Sequence, residues 1–277
     1  ESRFYRPMGG TVFKMIPVET FRGCPFSCTY CNSPSQRTFS KDNGLGNFLR
    51  RKTMENLQAE LKQYQKLYDP NFFYFVDDVF LARPKSEIFE FCDMYEEFSL
   101  PFWFNTRSEN CETDTMERLK EVGCYRISFG IECGNEQYRQ KVLRRKISND
   151  ELIYRFNEII GKSGIAFSLN VIIGMPGETR ELVMDTVELI RSIEKYDALT
   201  VSIFTPYHGT VLRDVAVENG WMDEDAITTH TTARSLLSMP NPYLTPDELD
   251  SLALTFPLYT YFPKSDWGQI RRAEKND

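Results

Sequence analysis

Short apolar runs alternate with longer amphipathic segments along most of this 277-residue chain, and this alternation limits the fold more than any other feature. The apolar runs have strand length, so we predict strands at Ile16–Arg22, Phe72–Val76, Phe102–Thr106, Tyr125–Ile131, Phe167–Gly174 and Leu199–Phe204. The amphipathic segments predict helices at Met54–Leu67, Ser86–Phe98, Asp114–Val122, Asp150–Ser163 and Glu178–Ile193. Strand and helix in regular succession predict a parallel sheet with right-handed crossovers.

The faces of the predicted strands favour a barrel over an open doubly wound sheet. In a barrel, one face of each strand looks into the lumen and the other packs against helices. Ile127, Phe129 and Ile131 share one face of their strand, while polar residues and glycine occupy the other. A closed eight-stranded barrel would fill its lumen with branched apolar side chains. We therefore predict an α/β fold, a partial (β/α)6 TIM-like barrel that holds a ligand.

The periodic pattern weakens beyond residue 205, which suggests a division of the chain. We assign residues 1–15 to an N-terminal lead-in, residues 16–205 to the partial barrel, and residues 206–277 to a C-terminal extension packed on the barrel. Within the extension, Asp214–Asn219 and Pro246–Phe256 are predicted to be helical.

The charge balance and the absence of long apolar runs exclude several classes of function. The chain carries 33 Lys and Arg against 40 Asp and Glu, a net charge of −7, whereas a surface built for phosphate backbones would be basic. Nucleic acid is therefore not expected as a partner. No apolar run approaches the ~20 residues of a membrane span, and the first residues lack the apolar core of a signal peptide. We expect a cytoplasmic protein with no membrane partner and with reduced thiols.

Three of the seven cysteines, Cys24, Cys28 and Cys31, follow the first predicted strand directly. Soft thiolates on one short loop select zinc, copper(I) or an iron–sulfur cluster. Structural zinc needs a fourth ligand, and the only histidines, His208 and His230, lie far along the chain. We expect a [4Fe–4S] cluster held by three thiolates with one iron open, and keep zinc or plain buried cysteines as alternatives. The remaining cysteines are expected to be small core residues: Cys92, Cys111, Cys124 and Cys133.

The cysteine loop, with the aromatic Tyr30 before its last cysteine, resembles the signature of the radical S-adenosylmethionine superfamily. The resemblance implies that Cys24, Cys28 and Cys31 hold the cluster as metal ligands and that Tyr30 lies against the cofactor. It also implies that S-adenosylmethionine chelates the open iron and is cleaved to a 5′-deoxyadenosyl radical, in a protein sensitive to oxygen. The protein's part would be to position the cofactor and exclude water.

Motifs at later strand ends resemble the family's cofactor contacts. Asp77 and Asp78 end the second predicted strand, where the family contacts the methionyl ammonium, and a carboxylate beside an ammonium forms a charge-assisted pair. Glu132 ends the fourth and resembles the ribose-binding carboxylate. Gly174 and Pro176 end the fifth and resemble the motif that packs adenine, where glycine permits close backbone approach.

Two further residues are assigned to the cofactor site. Asn170 is a lumen residue by alternation along its strand, as are Asn105, Arg107 and Ser202. Tyr207 belongs to the segment 205–210, which ends the sixth strand and resembles an element of the cobalamin-linked branch of the family. His208, in the same segment, is interpreted mainly as an ordinary loop histidine.

The resemblance implies a radical enzyme that attacks an unactivated C–H bond of a small-molecule or peptide substrate. A methyltransferase or cyclase of the cobalamin-linked type is the expected reaction class, with a flavodoxin- or ferredoxin-type electron donor. Residues 1–15 are too few for the cobalamin-binding domain of that branch, so cobalamin is expected only if a segment outside this sequence supplies that domain. The alternative is an iron–sulfur protein that binds or senses on the same barrel without turnover.

Overall fold

The computed structural model describes residues 2–228 and 234–275. Its strands are β1 Tyr5–Met8, β2 Thr11–Val18, β3 Phe21–Arg22, β4 Arg50–Arg51, β5 Phe72–Phe75, β6 Phe102–Thr106, β7 Cys124–Glu132, β8 Ala166–Ile173 and β9 Ala198–Ile203. Seven of them form one sheet in the order β1-β2-β5-β6-β7-β8-β9, and β3 pairs with β4. From β2 to β9 every neighbouring pair in the large sheet is parallel. The sheet curls into a half-barrel, which confirms the predicted partial TIM-like barrel.

The described residues form ten helices, of which seven lie between parallel strands along the chain and three follow the last strand. They are α1 Ser33–Asp42, α2 Met54–Tyr68, α3 Lys85–Tyr95, α4 Thr113–Glu121, α5 Glu136–Lys141, α6 Asn149–Tyr154, α7 Arg180–Arg191, α8 Val211–Glu218, α9 Pro246–Tyr261 and α10 Trp267–Glu274. A π-helical turn, Arg155–Ile160, continues α6. No helix within the described residues is both long and apolar enough to cross a lipid bilayer.

The core between sheet and helices is built from the apolar faces of the strands and helices. Ile127, Phe129 and Ile131 of β7 are fully buried in it. β5 contributes aromatic rings in edge-to-face contacts with rings of α3, such as Phe75 with Phe91 at 5.2 Å between centroids. Burial of such aromatic side chains is the main stabilising contribution of a core. The outer faces of the strands therefore fix the sheet against the helices and leave the polar faces toward the lumen.

The start of the sheet differs from the prediction. The first parallel strand is Thr11–Val18, not Ile16–Arg22, and β1 pairs antiparallel with it. Gly9 and Gly10 both have positive φ and close this hairpin, as two-residue hairpin turns require. The prediction missed β1 because its residues are largely exposed and include a proline. It ended the strand too late because the chain turns after Val18 and forms the short β3.

The C-terminal extension packs on the barrel through one face of α9. Leu249, Leu252 and Phe256 are buried in the main core. The last helix, α10, is fastened by Glu274, whose carboxylate accepts hydrogen bonds from both terminal nitrogens of Arg180 at 2.8 and 2.9 Å. The division at residues 1–15, 16–205 and 206–277 stays a prediction. His230 lies outside the described residues.

Candidate functional site

The cysteine loop lies at the carboxyl ends of the parallel strands and lines a cavity of about 380 Å³. All three cysteines, Cys24, Cys28 and Cys31, face this cavity. Two groups approach their sulfur atoms: Nη1 of Arg107 lies 3.8 Å from Sγ of Cys28, and the backbone N–H of Ser33 donates to Sγ of Cys31 at 3.4 Å. The N–H of Ser33 lowers the pKa of Cys31 and so favours its thiolate, the form that binds metal, although burial outweighs this effect.

The donor set fits an iron–sulfur cluster better than a single ion. Among the residues that the structure describes, no three His, Cys, Asp or Glu side chains converge closely enough to hold one metal ion. A cluster distributes its thiolates over separate iron atoms, so sulfurs spread around a cavity are the arrangement it needs. Burial raises the pKa of Cys24 to about 11 and also raises that of Cys31. Binding of a metal centre would therefore displace protons from these thiols.

The two adjacent aspartates have different surroundings. Oδ1 of Asp77 accepts from the backbone N–H of Thr20 at 2.7 Å and of Phe21 at 3.0 Å. Its Oδ2 accepts from the hydroxyl of Thr20 and from Nη2 of Arg83 at 2.7 Å. Asp77 thus fastens the β2–β3 turn to the end of β5 with both oxygens engaged. Asp78 is exposed, lines the cysteine cavity and makes no hydrogen bond or ion pair within the described ranges. Partial burial and the charge of Asp77 raise the pKa of Asp78.

Glu132 reaches the cavity because the end of β7 is irregular. The pairing of β7 with β8 shifts register between Gly130 and Glu132, and Glu132 has φ +65°. A bulge re-aims the side chain at a strand end, and a positive φ on a residue other than glycine marks a conformation that the surroundings enforce. Oε1 of Glu132 accepts from the hydroxyl of Tyr30 at 3.2 Å. Burial raises the pKa of Glu132, although the guanidinium of Arg145 opposes this.

A buried arginine that the sequence prediction missed completes this part of the site. Arg145 lines the cysteine cavity, with its side chain 1% exposed. Its Nη1 donates to the carbonyl oxygen of Gly130 at 2.8 Å and lies 3.4 Å from Oε1 of Glu132. Nε and Nη2 of Arg145 have no hydrogen-bond acceptor in the described part of the chain. The basic run 144–146 gives no sequence signal that one of its members is buried.

Arg107 and Glu109 connect Arg145 to the cysteine loop. Arg107 donates to Oε1 of Glu109, and its guanidinium lies 3.9 Å from the ring centroid of Phe26. Oε2 of Glu109 lies 3.6 Å from Nη2 of Arg145. Burial alone would raise the pKa of Glu109, but Arg145 and Arg107 outweigh it and hold that pKa below its usual value. Arg107 and Arg145, which line the cavity, are thus each paired with Glu109, and Arg145 also lies beside Glu132.

A second cavity of about 460 Å³ adjoins the first and shares Tyr30, Glu132 and Asn170 with it. Its other walls are largely apolar and come from the ends of β8 and β9 and the segment after β9: Val171, Ile172, Val201, Ile203, Phe204 and Tyr207. The predicted lumen residues Asn170 and Tyr207 are therefore close to the cysteine cavity. A cleft that combines a few polar groups with apolar walls suits a small ligand.

Two predicted residues, Gly174 and Pro176, are buried and do not line either of these cavities. Gly174 has φ +79°, and a Cβ there would lie 2.7 Å from Cδ1 of Leu249 in α9. The close approach that this glycine permits is thus with helix α9. The carbonyl oxygen of Pro176 accepts from the hydroxyl of Tyr138 at 2.7 Å. Glu178 caps the same turn, accepting from the N–H of Gly174 at 2.6 Å, and burial raises its pKa to about 8.

Two further predicted lumen residues line the cavities: Asn105 lines the cysteine cavity and Ser202 the second one. His208 and the other four cysteines line neither. His208 is exposed and faces the groove beside α1. The other four cysteines are buried in helices, at strand ends or next to them: Cys92, Cys111, Cys124 and Cys133. Burial raises the pKa of each of these thiols. They are protonated core residues at neutral pH.

Comparison with known proteins gives sequences that are similar to most of this chain. An uncharacterized methyltransferase of Pyrococcus horikoshii is 28% identical over 203 residues, which cover 73% of this chain and 42% of that protein. The bacteriochlorophyllide d C-8(2)-methyltransferase of Chlorobaculum tepidum is 22% identical over 214 residues, 75% of this chain and 46% of that protein. The chain thus spans less than half the length of these relatives.

Among solved structures, the cobalamin-dependent S-adenosylmethionine radical enzyme OxsB aligns with a TM-score of 0.64 at 12% identity. The alignment covers 94% of this chain and 45% of that chain. At this identity the likeness concerns the fold. The family model of the radical SAM superfamily matches residues 18–190, from the end of β2 to α7. That range includes the cysteine loop, Asp78, Glu132 and Arg145, and the chain belongs to the radical SAM superfamily.

Proposed function

We propose that this chain is the catalytic barrel of a radical SAM methyltransferase. The observation that carries the proposal is that Cys24, Cys28, Cys31, Asp78, Glu132 and Arg145 line one cavity. The cavity continues into a second, largely apolar one. The mouth of one half-barrel thus combines thiols that could hold a cluster, charged side chains that could bind the methionyl part of S-adenosylmethionine, and a cavity for its nucleoside.

The three cysteines would hold a [4Fe–4S] cluster, with Arg107 and the N–H of Ser33 supporting their sulfurs. When bound there, the cluster would supply the electron for reductive cleavage of S-adenosylmethionine to a 5′-deoxyadenosyl radical. The side chains around the loop would limit access of water to this reaction. Phe26, stacked on Arg107, covers the loop from the side of the cavity.

The methionyl part of S-adenosylmethionine carries one ammonium and one carboxylate, and the cavity offers a partner for each. We assign the ammonium to Asp78, because both oxygens of Asp77 are engaged by Thr20, Phe21 and Arg83. We assign the carboxylate to Arg145, whose buried Nε and Nη2 have no hydrogen-bond acceptor among the described residues, since Oε2 of Glu109 lies 3.6 Å from Nη2. Paired charge-assisted hydrogen bonds of a guanidinium with a carboxylate are strong and directional.

The nucleoside would occupy the second cavity. Oε1 of Glu132 is engaged by Tyr30 and Arg145, and its other oxygen is left to accept from ribose hydroxyls. The apolar walls from β8 and β9 would pack the adenine. Asn170 lines both cavities and would contact both halves of the cofactor. Gly174 and Pro176 would lie behind these walls and would not contact the adenine.

Methyl transfer is the reaction class that we favour, because two relatives are named methyltransferases. Cobalamin as an additional cofactor, bound by a part of the protein outside this chain, belongs to the same proposal, since the similar structure of OxsB contains it. The substrate is proposed to be a small molecule or peptide. An iron–sulfur sensor would have no use for a nucleoside cavity beside its cluster, so the second cavity favours the enzyme.

Anaerobic reconstitution followed by EPR spectroscopy tests the proposal. We expect a reduced [4Fe–4S] signal that changes when S-adenosylmethionine is added, and 5′-deoxyadenosine among the products under dithionite. Cys28→Ala should abolish both, whereas Cys92→Ala, which removes a buried thiol of α3, should keep both. A cluster signal that is indifferent to S-adenosylmethionine would favour the sensor, and absence of iron would overturn the proposal.

The assignment of Arg145 has a separate test. Arg145→Met should weaken S-adenosylmethionine binding more than binding of its decarboxylated analogue, because only the former carries the carboxylate. Arg144→Met is the matched control, since Arg144 is exposed beside it. Equal losses for both ligands would remove Arg145 from the carboxylate site.

A further inference from the structure

Two aromatic side chains form a wall of the lumen below the cysteine cavity. Tyr74 of β5 and Trp103 of β6 are neighbours in the sheet, and their rings are stacked at 4.2 Å between centroids and 14° between planes. Two residues further along the same strand faces, Val76 and Asn105 line the cysteine cavity. A strand rises ~3.3 Å per residue, so the ring pair lies about 7 Å below the wall of that cavity. We call Tyr74 and Trp103 the aromatic shelf.

The aromatic shelf is partly exposed, whereas the rings on the opposite faces of the same strands are not. Both shelf residues keep part of their surface accessible. The rings that alternate with them along the strands are 0% exposed in the outer core: Phe73, Phe75, Phe102 and Phe104. Pro17, which pairs with Tyr74 in the sheet, and Val76 are exposed beside the shelf. The shelf therefore borders open space in the lumen.

The polar atoms of both shelf rings have hydrogen-bond partners within the wall. The hydroxyl of Tyr74 accepts from Nδ2 of Asn105 at 2.8 Å. Nε1 of Trp103 donates to Oγ of Ser128 at 2.9 Å, and Oγ of Ser128 lies 2.7 Å from Oγ of Ser168. These bonds hold the rings in place and occupy their polar atoms. The shelf therefore offers mainly apolar ring surface to the lumen.

A second aromatic cluster closes the lumen beneath the shelf. Phe72 precedes Tyr74 by two residues on the same strand face, and its ring contacts Phe13 at 4.8 Å and Tyr125 at 5.6 Å between centroids. Phe13 and Tyr125 also contact each other, at 5.5 Å. Phe72 is fully buried in this floor. A molecule that enters from the cysteine cavity is therefore stopped at the level of the shelf.

One donor beside the shelf has no acceptor among the described residues. Arg126 of β7 pairs in register with Trp103, and its side chain is 12% exposed. Its Nη2 donates to Oδ2 of Asp197, whereas its buried Nε has no hydrogen-bond partner in the described part of the chain. A buried donor without an acceptor is costly in free energy. An oxygen atom of a ligand on the shelf would remove this cost.

We propose that the aromatic shelf binds the substrate, and that this substrate carries a flat aromatic ring with an oxygen acceptor at its edge. The inference rests on the proposed function, which assigns S-adenosylmethionine to the two cavities above the shelf. Contacts between aromatic rings are more favourable than the buried area alone accounts for, so the shelf distinguishes an aromatic ring from a saturated one of similar size. The ring contacts Tyr74 and Trp103, its oxygen accepts from Nε of Arg126, and its upper edge faces the cysteine cavity.

Two probes that differ in aromaticity test this substrate class. We expect 2-naphthoate to bind the cluster-containing chain about tenfold more tightly than decahydro-2-naphthoate, which has a saturated ring system and the same carboxylate. Trp103→Leu and Arg126→Met should each weaken 2-naphthoate binding about tenfold. The matched controls Trp267→Leu and Arg272→Met alter α10 and should bind 2-naphthoate normally. Anaerobic equilibrium dialysis measures these affinities and needs no turnover.

The outcomes separate this inference from the proposed function. Equal affinity for the two probes in the unaltered chain would overturn the inference, and so would unaltered 2-naphthoate binding in Trp103→Leu or Arg126→Met. The EPR signal of the reduced cluster shows whether a variant is folded, and the comparison of the two probes needs no variant. A chain that binds 2-naphthoate at the shelf but has an EPR signal indifferent to S-adenosylmethionine would contradict the proposed function and leave the aromatic site in place.

Discussion

Oδ2 of Asp77 lies 2.7 Å from Nη2 of Arg83, and both side chains of this pair are removed from solvent. The neighbouring Asp78 is exposed in the cysteine cavity. Two adjacent carboxylates thus have separate tasks: one fastens the turn that carries the cysteine loop, and the other faces the space for a ligand.

Substitution of the two aspartates by asparagine should have opposite consequences. Asp77→Asn leaves the buried Arg83 without its counter-charge, and breaking a buried pair costs about 3 kcal/mol of unfolding free energy. We expect this loss to lie at the low end of the range for buried ion pairs. Burial raises the pKa of Asp77 in spite of Arg83, so the net stabilisation by the ionised pair is small. Asp78→Asn should leave stability within about 0.5 kcal/mol and weaken S-adenosylmethionine binding. Urea denaturation and a binding titration on both variants check this, and a reversed outcome would exchange the two roles.

Gly130→Ala should displace Glu132 without affecting the cluster. A Cβ at this position would lie 2.1 Å from Oε1 of Glu132, so the carboxylate must move away. We expect S-adenosylmethionine affinity to fall about tenfold, the value of one charge-assisted hydrogen bond, while the iron content stays normal. Gly268→Ala is the control, because a Cβ there meets no atom within 4 Å, and alanine in a helix adds roughly 0.5–1 kcal/mol of stability. Unchanged affinity in Gly130→Ala would exclude Glu132 from the cofactor site.

Glu178 should make the protein less stable as the pH rises from acid to weakly alkaline values. Burial raises its pKa from 4.5 to about 8, so between these values the folded chain holds a proton that the unfolded chain has lost. The unfolding free energy then falls with pH by at most ~1.4 kcal/mol per unit. Glu178→Gln should flatten this dependence between pH 5.5 and 8, whereas Glu117→Gln on the exposed side of α4 should not. Parallel curves for all three proteins would show that Glu178 is ionised in the fold.

Glu274 should have the opposite pH dependence. Burial by itself would raise its pKa, but hydrogen bonds from Arg180, Tyr259 and Arg271 outweigh burial and lower it. Its contribution is therefore complete above the ordinary pKa of 4.5 and is lost as the pH falls through the lowered value. At neutral pH, Glu274→Gln should cost about 2 kcal/mol, discounted for the partial exposure of Arg180. Hydrogen exchange in α9 and α10 should accelerate, and unchanged exchange would contradict this role.

The sequence predicted the fold well because its strands and helices are long enough to have a clear period. The predicted bounds of the strand Phe102–Thr106 are the observed ones, and those of the other parallel strands after the first differ by one residue at one or both ends. Helix α1 was missed because Ser33–Asp42 contains few apolar residues and packs mainly through serines, Ser33 and Ser40. The spacing of apolar residues detects only those helices and strands that are buried through an apolar face.

The site was predicted in part, and the omissions have physical causes. The position of the cysteine loop and of Glu132 follows from strand ends, which the sequence marks clearly. The difference between Asp77 and Asp78 depends on which carboxylate meets the turn at Thr20, a contact between residues 57 apart in sequence. Arg145 is buried by tertiary packing alone, and Gly174 is constrained by Leu249 from a helix 75 positions later in the chain. These contacts join residues that are distant in sequence, so a local sequence pattern does not predict them.

The half-barrel leaves the sheet open between β1 and β9 among the described strands. In a closed ring of strands, the width of the lumen is fixed by strand number, and only a molecule that fits between the upper loops can enter. Here the spacing of the strands sets no such upper limit on size. In the proposed enzyme, the size of an accepted substrate would therefore depend on what borders this gap, and it could change while the strand ends that carry Asp78 and Glu132 stay the same.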